Sequence, residues 1–402
     1  MKKSTNIATF ESIMPKEEML EIKKSYMSLN IGIPKESSYQ ENRISLSPDA
    51  VALLVSNGHK VIIEKGAGVN ASFSDEDYSN SGADISFSKE RIYKSHIILK
   101  IEPPTKDEIK LMFKGQILIS TLQLSTRDKK FMKDLLDSGV TALAFEYIKD
   151  KNDILSLIRS ISEIAGNTAI LIAAENLSNV NNGKGLMLGG INGVSPTEVV
   201  ILGAGTVGEF ATRTALGLGA SVKVFDSSIT KLRRLHENIN ERVSTSVIQP
   251  KVLLKALMRA DVVIGALRAY QGRTPCVVSK QMVKKMKPSS VIVDVSIDQG
   301  GCFETSLVTN HKKPTFRKYD VVHYCVPNIV SRVSRTASFA ISNILAPVLV
   351  EMGVEGGVIN LLKNNKGFRE GVYVFSGMLT NSVLGKIFNI PHKNINLIMT
   401  AL

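Results

Sequence analysis

The segment Glu198–Asp226, EVVILGAGTVGEFATRTALGLGASVKVFD, constrains the fold more than any other stretch of the chain. Val199, Val200, Ile201 and Leu202 form a continuous apolar run, as in a strand buried on both faces of a parallel sheet. A glycine-rich turn follows at once. Gly203 permits the tight turn, Gly205 lets the backbone approach a pyrophosphate, and Gly208 lets the next helix pack on the strand. That helix, opening at Thr206, offers the phosphates the unpaired N–H groups of its first turn. A second apolar strand, Ser221–Phe225, ends at Asp226, 23 residues beyond Gly203. An acid there grips a ribose 2′-hydroxyl and repels a 2′-phosphate, which selects NAD over NADP. Lys231, in the helix that follows, is a further cofactor candidate.

The same rhythm of strand and helix runs along most of the chain. Strands are expected at 31–34, 60–64, 97–101, 116–121 and 141–145, with a Ser47-capped helix through Val55 and another at Lys129–Asp137. After the fingerprint come a helix near 230–241, a strand at 261–265, a helix near 280–286, and strands at 290–295 and 321–326, the last completing its sheet. The fold class is α/β, with two doubly wound Rossmann-like domains. Helical apolar spacing over 160–177 marks a connection between the two, and the apolar helix from Ser338 to Val350 returns the chain to the first domain. Residues 30–156 and 336–402 then form one discontinuous domain and 157–335 the NAD-binding one. Residues 1–29 are an N-terminal extension with a proline-started helical pattern from Pro15.

The net charge of +13 invites a nucleic-acid partner, but the lysines are dispersed and no basic run is interleaved with aromatics, so none is expected. Cys276, Cys302 and Cys325 are an odd set without metal spacing, which fits a reducing compartment and no metal site. With no signal peptide and no run of about eighteen apolar residues, the chain reads as soluble and cytoplasmic, without a membrane partner.

Beyond the fingerprint, the chain resembles the alanine dehydrogenase family, to which the nucleotide-binding subunit of proton-translocating transhydrogenase is related. The resemblance rests on Ile31-Gly-Ile-Pro-Lys-Glu36, Glu41-Asn-Arg43, Gly66-Ala-Gly68, Gly115-Gln-Ile-Leu118, Ser162-Glu-Ile-Ala-Gly166, Val293 through Glu304, and Tyr324-Cys-Val-Pro-Asn328. It implies an NAD-dependent amino-acid dehydrogenase, a homo-oligomer and commonly a hexamer, working on a small amino-acid or oxo-acid substrate in a cleft between two domains. By the same resemblance Arg43 grips the substrate carboxylate with its planar fork, Gln123 lies against the substrate, and Asp298 works beside the nicotinamide. Ser162 and Asn328 contact the cofactor, and Leu267, Val295, Ser296 and Ile297 line its adenine and ribose.

Two positions depart from the family pattern. Where the family carries a catalytic lysine in Lys-Val-Lys-Glu-Pro, this chain reads Lys100-Ile-Glu102-Pro-Pro104; where it carries a catalytic histidine, the chain has Gln123. On a continuous strand Lys100 and Glu102 would face one side, about 6.6 Å apart, so either could supply the proton chemistry. The departures leave three functions open: an alanine dehydrogenase or one with a shifted amino-acid substrate, a catalytically silent NAD(H)-binding protein, and a soluble part of a transhydrogenase-like complex.

Overall fold

The structure is a computed structural model, and it describes residues 26–38, 40–123, 128–268 and 273–402. The helix expected from Pro15 lies outside these residues. Two parallel-dominated sheets organise the rest. In chain order the first begins with β1 (Asn30–Ile33), β2 (Lys60–Glu64), β3 (Asp84–Ser86), β4 (Ile97–Leu99), β5 (Ile117–Ser120) and β6 (Thr141–Ala144). The second holds β7 (Glu198–Leu202), β8 (Ser221–Asp226), β9 (Ser244–Val247), β10 (Val262–Gly265), β11 (Val291–Asp294), β12 (Thr315–Lys318) and β13 (Val321–Tyr324). The chain then returns to the first sheet with β14 (Val372–Phe375) and β15 (Met378–Leu379).

The spatial order is β15-β14-β6-β5-β4-β1-β2-β3 in the first sheet and β12-β13-β11-β10-β7-β8-β9 in the second. All neighbours run parallel except β14 with β6, β15 with β14, and β12 with β13. Strand order reverses between β4 and β1 in one sheet and between β10 and β7 in the other. Doubly wound sheets hold ligands in the crevice outside the strand carboxyl ends at such points. Residues 34–43 and 100–104 leave one crevice; Gly203 and Leu267 leave the other.

Two expectations change here. The strand at 321–326 does not complete its sheet, because β12 pairs antiparallel along its outer side. Thr-Phe-Arg-Lys is short and basic, as edge strands are, and its half-buried side chains give little apolar signal. The bilayer argument also needs correcting. Ser156–Leu177 and Ile329–Val354 are long and apolar enough to cross a membrane by composition, at 22 and 26 residues. Both are core helices. The first buries Leu157 in the core of the first sheet and Ala165, Ala169 and Ile172 in that of the second. The second crosses back, with Ala337 in the second core and Ile341, Leu345, Leu349 and Met352 in the first. Burial between two sheets makes a helix apolar on most of its circumference, as lipid would.

Candidate active site

On the cofactor side, Gly203 stands at φ +116°, and a Cβ there would lie 2.4 Å from the Ala266 carbonyl oxygen of the neighbouring strand end. A Cβ on Gly208 would lie 1.8 Å from the Gly203 carbonyl, so the helix Thr206–Gly217 rests directly on the turn. Nothing lies within 4 Å of a Cβ built on Gly205, the helix N-cap. The open space sits above the free N–H groups of the first turn, which is what a dinucleotide pyrophosphate requires. The residues therefore fit NAD.

Asp226 ends β8 at the same mouth. Its Oδ2 accepts from the Ala204 N–H at 2.8 Å and its Oδ1 from the Ser228 N–H at 2.8 Å. Both bonds fix the carboxylate while leaving each oxygen a lone pair. Leu267 and Ser296 meet across the mouth, the Ser296 hydroxyl donating to the Leu267 carbonyl at 2.7 Å. Val295, Ser296, Ile297 and Asp298 lie on the short helical turn Val295–Gln299 rather than on the preceding strand, which ends at Asp294. Ser162 is half-buried on the helix Ser156–Leu177. Lys231 is exposed, one turn into the helix Ile229–Asn238.

On the substrate side, Arg43 is buried and bonded twice to one carboxylate, Nε to Glu41 Oε1 at 2.7 Å and Nη2 to Oε2 at 2.6 Å. Burial alone would raise the Glu41 carboxyl, but the Arg43 guanidinium outweighs it and holds it below the ordinary range. Asn328 joins this pair to the other sheet. Its Nδ2 donates to Glu41 Oε2 at 2.7 Å, and its N–H donates to Asp298 Oδ1 at 3.1 Å. Asn328 adopts φ +57°, a left-handed conformation that asparagine tolerates. Asp298 opens to solvent, yet crowding by the cleft walls still pushes its carboxyl up against the opposing pull of the Asn328 N–H and Arg43. Arg43, Asn328 and Asp298, far apart in sequence, thus form one chain through Glu41.

Lys100 and Glu102 do not share a strand face. β4 stops at Leu99, and the two side chains part. Lys100 is fully buried, its Nζ 3.3 Å from Glu108 and 3.4 Å from Glu36. Burial would lower its pKa, but the two carboxylates raise it, so the ammonium stays charged and held. Glu102 turns instead to Gln123, whose Nε2 donates to Glu102 Oε2 at 2.8 Å. Burial first, then repulsion from Glu41, pushes Glu102 up to about 7, against the pull of Gln123 and Arg43. Glu102 and Gln123, the two positions read from the sequence as departures from the family pattern, therefore touch one another.

Sequence reasoning gave no role to Glu36, Glu41, Glu108 or Glu146. Glu36 accepts from the Ile101 N–H at 2.6 Å and fixes the turn carrying Glu102. Glu146 accepts from the Leu122 N–H at 2.7 Å and fixes the turn carrying Gln123. Glu108 had a legible signal, since Thr105 and Glu108 form the capping box of the helix Lys106–Leu111.

A glycine-loop crevice in one doubly wound sheet, facing a buried arginine–carboxylate crevice in the other, defines a nicotinamide-dinucleotide oxidoreductase acting on a small anionic substrate. Residues 32–165 match the family model for the N-terminal domain of alanine dehydrogenase/PNT, and residues 169–382 the model for the C-terminal domain. The chain belongs to the alanine dehydrogenase/PNT family. It is 37% identical over 364 residues to the alanine dehydrogenase of Methanococcus maripaludis, covering 90% of this chain and 97% of that one. To the alanine dehydrogenase of Bacillus subtilis it is 37% identical over 357 residues, covering 89% and 94%. A solved L-alanine dehydrogenase superposes with a TM-score of 0.83 at 36% identity, covering 89% of this chain and 99% of that one. A transhydrogenase from Sinorhizobium meliloti, at TM-score 0.74 and 22% identity, shares the fold.

Proposed function

We propose that the chain is an NAD-dependent oxidoreductase of the alanine dehydrogenase kind, interconverting L-alanine with pyruvate and ammonium. Residues 30–156 and 336–402 take the substrate and residues 157–335 the cofactor. The observation that carries this reading is the chain of contacts Arg43–Glu41–Asn328–Asp298, which ties the substrate crevice to the cofactor crevice.

Arg43 keeps N–H donors beyond the two spent on Glu41, and these grip the substrate carboxylate. Asp298 stands beside the reacting carbon, and Gln123 lies against the substrate through Glu102. Glu102 trades the proton, because its pKa near 7 suits both giving and taking. Lys100 keeps Glu36 and Glu108 in place rather than reacting. Gly203, Gly205, Thr206, Gly208 and Asp226 hold the dinucleotide, with Ser162, Lys231, Leu267, Val295, Ser296, Ile297 and Asn328 around it. Bound NAD accepts or returns the hydride at the substrate Cα. The enzyme works as a soluble, cytoplasmic homo-oligomer, a hexamer by resemblance.

A second reading, a silent NAD(H)-binding protein, is favoured by one observation: the only lysine at this strand end is neutralised by two carboxylates. Reduction of NAD+ over a panel of amino acids, alanine first, separates the two. Turnover that disappears in Arg43→Ala supports the dehydrogenase; NADH binding without turnover on any amino acid supports the silent protein.

A further inference from the structure

We propose that Glu102 receives the oxo-acid substrate as a neutral carboxylic acid, loaded with its proton by substrate binding itself, and that Gln123 positions it. This rests on the reading above that the oxo acid binds at Arg43.

Gln123 Nε2 donates to Oε2 of Glu102, so that oxygen is an acceptor and a proton on this carboxyl sits on Oε1. Gln123 stands at φ +47°, held there by its own N–H and that of Leu122, both donating to Glu146 Oε1. A non-glycine backbone kept at such a positive φ costs free energy and persists only where its surroundings dictate it.

The charged groups acting on Glu102 are Glu41, Arg43 and Glu36, all following β1. Around them, Lys100 pairs with Glu36, Asp298 acts on Arg43 and His311 on Glu41 from the second sheet's side, and Glu146 holds the turn carrying Gln123. Both cations have partners already, Arg43 with Glu41 and Lys100 with Glu36 and Glu108. A substrate carboxylate arriving at Arg43 therefore meets an acid where the family carries a lysine. Two carboxylates sharing one site do not both stay ionised, so the protein-side group takes up a proton. The carboxyl is poised for this, since burial and Glu41 already hold it at about 7 before any substrate arrives.

The proton then has a use. In the reductive direction the ammonia lone pair forms a C–N bond at the substrate carbonyl carbon, and the C=O π pair moves onto oxygen. That oxygen takes the Oε1 proton. Glu102, now a carboxylate, accepts a proton back from the new C–N nitrogen, and the acid is restored.

The test is calorimetric titration of pyruvate into the full chain loaded with NADH, at pH 7.5, in buffers of different ionisation enthalpy. Net proton uptake is expected, with pyruvate affinity flat below pH ~7 and falling about tenfold per unit above it. Glu102→Gln, which mimics the neutral acid, keeps pyruvate binding, takes up no proton, loses the pH slope and lowers turnover about 10²–10⁴-fold. Gln123→Ala removes a donor that favours the carboxylate, so its inflection moves to higher pH, which a merely structural role would not produce. Pyruvate binding to the parent without proton uptake, or undiminished uptake in Glu102→Gln, overturns the proposal. An NADH-loaded protein that binds no oxo acid or amino acid overturns the dehydrogenase reading, and the proposal with it.

Discussion

The crevice beside β7 and the crevice beside β1 lie at equivalent points of their sheets, where strand order reverses, yet they are built from different material. Around Gly203 the working parts are backbone: a left-handed glycine, a bare N-cap and the free N–H groups of a helix. Around Arg43 they are side chains: Glu41, Glu36 and Glu108 paired with the two cations Arg43 and Lys100, Glu102 held by the Gln123 amide and Asp298 by the Asn328 N–H. A backbone site changes only when the chain path changes. A side-chain site changes chemistry with single substitutions, and here Glu102 and Gln123 set an acid–amide pair in the crevice of Arg43.

The largest effect predicted breaks the backbone half. Gly208→Ala sets a Cβ 1.8 Å from the Gly203 carbonyl and cannot be accommodated without moving the turn. We predict a loss of stability above about 4 kcal/mol and loss of NADH fluorescence enhancement. Undiminished NADH binding by a folded variant would remove the packing role assigned to that glycine. Next comes Lys100→Met, which leaves the buried Glu36 without its cation and Glu108 with Lys89 alone, and costs about 3–5 kcal/mol in denaturant unfolding. Because the folded lysine pKa is raised, that stabilisation is fully present below the ordinary lysine value and lost only as pH climbs through the higher folded one. The lysine itself adds no pH dependence between pH 6 and pH 8, and the cost should be no smaller at pH 8 than at pH 6, where Glu36, raised by burial and freed of Lys100, takes up a proton more readily. Turnover lost in a variant of undiminished stability would make Lys100 the proton carrier instead.

Smaller effects sharpen the substrate half. Asn328→Gly keeps the left-handed backbone but deletes the amide bonded to Glu41, a charge-assisted contact worth about 1.5–3 kcal/mol. Equal unfolding free energies for parent and variant would show that the two crevices are not coupled through this residue. Glu102→Gln should be the mildest change, and a stabilising one. With its folded pKa raised to about 7, Glu102 favours folding below the ordinary carboxyl value and loses that contribution as pH rises through 7. The variant should match the parent near pH 4 and exceed it by roughly 1–2 kcal/mol at pH 8, a modest figure because solvent partly screens the side chain.

The cofactor half was legible because its signal is local. Apolar strand, three glycines and a terminal acid fall within one short segment, and each has a single physical reason. Edge strands were not legible. β9 and β12 are half-exposed Ser-Thr-Ser-Val and Thr-Phe-Arg-Lys, without the apolar run that marks a central strand. In the substrate half the sequence showed which residue types stand at 102 and 123 but not that they touch, since the contact joins the ends of two strands through turns fixed by Glu36 and Glu146. The direction of the Lys100 side chain was not legible for a related reason. Its side chain follows the end of β4 under the helix bearing Glu108, and strand alternation stops applying at Leu99.

One measurement bears on the account most directly: NADH oxidation with pyruvate and ammonium, followed by absorbance from pH 5.5 to 8.5 in the parent and in Glu102→Gln. We predict a kcat/KM for pyruvate in the parent that declines above pH ~7, and loss of both turnover and pH dependence in the variant. A parent that binds NADH yet reduces no oxo acid at any pH, or a Glu102→Gln variant with the parent's rate and profile, would contradict it.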